Sequence, residues 1–84
     1  MELDQVMGDV LRAARKERGL SQEALALEAG IERNYVSLIE RGHNSPSIRM
    51  LFKLCKVLKV APSELLQRAE ESIRSAPKKR TSRK

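Results

Sequence analysis

Cysteine is nearly absent from this sequence: Cys55 stands alone among 84 residues. One thiol closes no disulfide within the chain, and the expected setting is a reducing compartment, the cytoplasm. Tryptophan is missing, and Tyr35 and Phe52 are the only aromatic residues, too few to stack the bases of single-stranded RNA. His43 is the sole histidine, with no cysteine near it in the sequence, so the expectation is no metal and no other cofactor. There is no paired-carboxylate site, no Cys/His cluster and no phosphate-cradling glycine loop, and an enzyme is not expected. No apolar run approaches the roughly 20 residues of a membrane span. The acidic start, MELDQVMGDV, has neither the basic residues nor the apolar stretch of a secretory signal.

What the chain does have is charge, unevenly spread. Lys and Arg number 17 against 11 Asp and Glu, a formal net charge of +6. Five of those cations, Lys78, Lys79, Arg80, Arg83 and Lys84, fall in the last nine residues without an acid among them, leaving +1 for residues 1–75. The body is close to neutral, so a basic face toward a polyanion has to come from segregation of charge rather than from net excess. The expected organisation is one domain over residues 1–75 and a disordered basic tail over 76–84. Such a tail either solubilises the chain or adds sequence-independent affinity for nucleic acid. A domain this small buries little apolar surface, which favours support from a second subunit.

Gly19, Gly30, Gly42, Pro46, Pro62 and Pro77 divide the chain into short blocks, each with helical periodicity and none with strand alternation. The expected fold is all-α, with five helices. The first runs from about Gln5 to Arg18, with Val6, Met7, Val10, Leu11, Ala13 and Ala14 on one face. The second follows Ser21, a good N-cap, and runs from Gln22 to Ala29. The third spans Arg33 to Arg41, with Glu32 as its expected cap and Val36, Leu38 and Ile39 on its apolar side. The fourth follows Ser47 and reaches Lys59, and the fifth runs from Pro62 to about Arg74.

The fourth helix is apolar over more than half its circumference and must bury two sides. Ile48, Leu51, Phe52, Cys55 and Leu58 form one face, and Met50, Leu54 and Val57 a second beside it. That second face reads either as further core or, with Leu65, Leu66, Ala69 and Ile73 of the fifth helix, as the interface of a homodimer. Cys55 reads as a small buried hydrophobe.

The segment Gln22–Arg41 is the most informative. Two helices are joined by a turn of three or four residues containing glycine, the arrangement of a helix-turn-helix. Ala26 is small where the helices would cross, Gly30 follows four residues later where the chain must turn sharply, and Leu25, Ala29, Ile31, Val36 and Ile39 place apolar contacts on both sides of the turn. The run QEALALEAGIERNYVSLIERG, followed by NSPSIRMLFKLCKVLKVAPSELL, resembles the phage-repressor (Cro/repressor-type) helix-turn-helix family over roughly residues 7–70. The resemblance implies a five-helix, lambda-repressor-like domain whose third helix enters the major groove of double-stranded DNA. Arg33-Asn34-Tyr35-Val36-Ser37 and the lack of a second domain look like the controller proteins of restriction–modification systems. The same resemblance implies an ion pair between Arg15 of the first helix and Glu40 of the third, structural in role.

The residue chemistry suits that placement. Arg33 is able to grip guanine O6 and N7 with two hydrogen bonds, a pair that discriminates by about 1–3 kcal/mol. Asn34 suits adenine or a phosphate. Tyr35 either packs over the turn or, with Ser37, meets sugar–phosphate and thymine methyl groups. Gln22 opens the second helix, where free N–H groups favour a phosphate, and either touches it or braces the next helix. Arg41 at the end of the third helix and His43 and Asn44 just beyond it suit the flanking backbone, contacts that set register. The expected function is a dimeric transcription regulator on a pseudo-palindromic operator, repressing by occlusion or activating through RNA polymerase. The alternative is an antitoxin that binds a partner toxin, against which the short basic tail, with no apolar face, speaks.

Overall fold

Val6, Met7, Val10, Leu11 and Ala14 recur at the spacing of one helical face, and all are buried along the first helix, α1 (Leu3–Glu17), of a computed structural model that describes residues 2–75. The basic tail, residues 76–84, lies outside the described residues. Four more helices follow: α2 (Gln22–Ala29), α3 (Arg33–Glu40), α4 (Ile48–Leu58) and α5 (Pro62–Arg74). Among the described residues there is no strand, and no helix is long and apolar enough to cross a membrane.

Local signals fix most of the helix ends. Ser21 Oγ accepts the N–H of Ala24 at 3.0 Å, and Ser47 Oγ accepts that of Met50 at 3.0 Å, each satisfying a first-turn donor that the helix cannot. Glu32 stands at the N-cap of α3 with extended backbone, but its carboxylate makes no capping bond. Between α2 and α3 the chain turns at Gly30, in the left-handed conformation (φ 72°), and Ile31 N–H donates back to Ala26 O at 2.9 Å. That closes α2 and points α3 in a new direction.

The two halves of the turn meet over Leu25, Ala26, Ala29, Val36 and Ile39, all buried, with Ile31 packed against them. Each large side chain removed from water there contributes about 1.5–3 kcal/mol. α1 crosses behind α3 and α5, and α4 closes the domain against α2 and α5. Ala13, expected on the buried face of α1, is exposed: Val6, Met7, Val10, Leu11 and Ala14 fill that stripe, and residue 13 falls outside it.

On α4 the expected division into two faces is corrected. Leu51, Leu54, Cys55 and Leu58 form the inward row, at i, i+3, i+4 and i+7, while Ile48 (69% exposed) and Phe52 (58%) point outward. Met50 and Val57 are half-buried against the chain's own core. The expected interface set changes with it. Leu54, Leu65 and Ala69 are sealed inside the monomer and are not available to a second subunit, whereas Leu66 and Ile73 remain exposed. Periodicity shows that α4 has two apolar sides but not which one α2 and α5 cover. Exposed Ile48 and Leu66, with Leu3 and Pro46, border a shallow groove of about 190 Å³ floored by Met7 and Leu51.

Candidate nucleic-acid interface

Helical geometry sorts α3 into two sides. Val36, Ile39 and Glu40 are buried. Arg33 and, at the C-cap, Arg41 are exposed and Ser37 half-exposed, a row at i, i+4 and i+8, with exposed Asn34 beside its first member. Tyr35 sits between the two sides, its ring partly buried against the core. The reading side of α3 is therefore outward. Among the described residues the ion pairs are Arg15–Glu40, Arg68 with Glu17 and Glu64, and Arg74–Glu70, so neither Arg33 nor Arg41 is engaged by an acid there.

The opposite side is locked by charge. Arg15 Nε donates to Glu40 Oε2 at 2.6 Å and Arg15 Nη2 to Glu40 Oε1 at 3.0 Å, a two-pronged pair with side chains only 9% and 3% exposed. The third guanidinium nitrogen donates to the carbonyl of Leu20 at 2.7 Å, tying in the segment that leads to α2. Gln22 Nε2 donates to Glu40 Oε1 at 3.0 Å. The Arg15–Glu40 pair thus gathers α1, the α1–α2 connection and the start of α2 onto the C-terminal end of α3. Charged hydrogen bonds of this shape are strong and directional, so they fix orientation as well as attachment.

The sequence-expected residues thus fall into groups. Arg33 and Asn34 open α3. Gln22, half-buried, joins the network at the other end of that helix, about 12 Å away at 1.5 Å per residue. Arg41 adjoins that network, and exposed His43 and half-buried Asn44 follow in the loop that leads to α4, where His43 N–H donates to Leu38 O at 2.9 Å. Cys55 is 1% exposed on α4, and burial pushes its thiol pKa up, so it behaves as core. Two participants were not singled out from sequence. The carbonyl of Leu20 leaves no side-chain signal; Gly8, buried in α1 against the end of α3, leaves only the oddity of a glycine inside a helical pattern.

Known proteins share this architecture. The helix-turn-helix family matches residues 11–65. The chain is 41% identical over 61 residues to the HTH-type transcriptional regulator SlrR of Bacillus subtilis, covering 71% of this chain but 40% of SlrR. It is 39% identical over 62 residues to control protein C.BamHI of Bacillus amyloliquefaciens, covering 73% of this chain and 76% of that protein. Among solved structures, the restriction–modification controller protein C.AhdI of Aeromonas hydrophila superposes with a TM-score of 0.71 at 40% identity, over 74% of this chain and 94% of that one. The controller protein C.Esp1396I, as a tetramer in complex with its natural 35-base-pair operator, superposes with a TM-score of 0.78 at 29% identity, over 87% and 96%. The turn at Gly30 over the buried Leu25, Ala29, Val36 and Ile39, the outward row on α3 and a family match across most of the described helices agree: the chain belongs to the helix-turn-helix family.

Proposed function

We propose that the chain is a sequence-specific transcription regulator that binds double-stranded DNA as a homodimer, in the manner of a restriction–modification controller protein. The observation that carries this is the row of Arg33, Asn34, Ser37 and Arg41 facing solvent on a helix whose other side is held by Val36, Ile39 and Glu40. In this reading Arg33 and Asn34 meet base edges, Tyr35 and Ser37 meet sugar–phosphate or thymine methyl groups, Arg41, His43 and Asn44 grip the flanking phosphates, and Gln22, bonded to Glu40, braces the helix. Arg15 and Glu40 hold the helix and do not read.

Support for a homodimer comes from Ile48, Phe52, Leu66 and Ile73, large apolar side chains exposed on α4 and α5. Two-fold pairing through them would present two copies of α3 to half-sites about 34 Å apart, or a multiple of that spacing. The likeness to C.BamHI, C.AhdI and the operator-bound C.Esp1396I supports the controller reading. Such a regulator works without catalysis, where the DNA is, in the cytoplasm. Operator position decides whether it blocks RNA polymerase or touches it, and the basic tail over 76–84 adds affinity for any duplex. The test is selection of bound duplexes from a random pool, followed by sequencing. A two-fold symmetric motif is the expected result; recovery of no preferred sequence contradicts the proposal.

A further inference from the structure

Gly8 sits inside α1, where glycine is the poorest helix former short of proline. Its backbone rests directly on the end of α3. A β-carbon at this position would collide with the carbonyl oxygen of Ile39 and stand 2.8 Å from that of Glu40. Both obstacles are backbone, so no flexible side chain is there to swing aside. Neighbouring positions of α1 serve the same end of α3. Gln5 packs against Gly42, where a β-carbon would lie 3.1 Å from the Gln5 Cα, and Arg15 holds the Glu40 carboxylate. Positions 5, 8 and 15 of one helix therefore seat residues 39–42, while Arg33 and Asn34 at the far end of α3 stand exposed.

We infer that Gly8 is a positioning residue for DNA reading: its missing side chain sets how deeply the end of α3 rests on α1, and thereby the angle at which Arg33 and Asn34 are presented to the bases. The inference rests on the DNA-binding reading above. α3 is about 12 Å long, so displacing its seated end tilts its reading end. Functional constellations tolerate displacements of about 0.5 Å. Phosphate contacts position the protein without reading sequence, so a tilt weakens recognition of sequence before it weakens attachment to duplex.

The test compares Gly8→Ala with Cys55→Ala, a core truncation on α4, each checked for helicity by circular dichroism. Both are titrated with the duplex that the wild-type chain selects from a random pool and with a scrambled duplex of the same composition, at one ionic strength. Gly8→Ala is expected to lose about tenfold or more on the selected duplex, the scale of one lost base contact, and less than about threefold on the scrambled one, where backbone contacts suffice. Cys55→Ala is expected to keep the wild-type ratio. An unchanged ratio in Gly8→Ala, whether from equal losses or from none, overturns the inference. So does failure of Gly8→Ala to fold even in the background of Lys59→Gly, which relieves the left-handed backbone (φ 59°) of a non-glycine residue at the end of α4, because Gly8 is then a requirement of the fold alone. A wild-type chain that selects no sequence overturns the DNA-binding reading itself, a separate outcome visible before either variant is made.

Discussion

Arg15 and Glu40 are the two charged residues buried in the described chain, and each is tolerable there only because of the other. A carboxylate that is 3% exposed pays heavily for desolvation unless several donors face it; here two guanidinium N–H groups and the Gln22 amide do. Breaking such a pair from one side leaves a bare buried charge, whereas removing both partners does not. Arg15→Met is accordingly expected to destabilise the domain by about 3–5 kcal/mol in urea unfolding, and Arg15→Met/Glu40→Leu to recover most of that loss. A single variant within experimental error of the wild type would remove the pair from its place as the lock on α3.

At the level of helices, the ends carry much of the specification. α4 stops at Lys59, which takes the left-handed conformation (φ 59°) with no glycine to ease it. For an L-residue that conformation costs about 1–2 kcal/mol, so Lys59→Gly is expected to raise stability by about 1 kcal/mol, read as a higher denaturation midpoint with an unchanged slope. A lowered midpoint would mean that the lysine side chain makes a contact that outweighs the strain. The same helix shows what sequence does and does not reveal. The five helices, the turn at Gly30 and the outward side of α3 were legible, because capping serines, glycines and 3.6-residue periodicity are local signals. Which of the two apolar sides of α4 faces inward was not, since it depends on where α2 and α5 lie. Leu54 turned inward and Ile48 and Phe52 outward for that reason, while Leu65 and Ala69 are buried where α5 packs against α1 and α4. Gly8 was illegible in the same way: what its absent side chain accommodates is a carbonyl more than 30 residues away in sequence.

For the whole molecule, an 84-residue chain that leaves Ile48, Phe52, Leu66 and Ile73 in water has apolar surface to bury and a small core of its own. Phe52→Asp is expected to leave each monomer folded while sedimentation equilibrium shifts to the mass of one chain; a variant that still sediments as two chains would move the interface elsewhere. If α3 is the reading element, the binding ratio of Arg33→Ala is the decisive measurement. Affinity is measured for the selected duplex and for a scrambled one across a salt series, because phosphate contacts set the salt slope and base contacts do not. A loss of about 1–3 kcal/mol confined to the selected duplex is expected, with the slope lowered by less than about one counterion. Equal losses on both duplexes would place Arg33 on the phosphate backbone and contradict the assignment of this helix to the major groove.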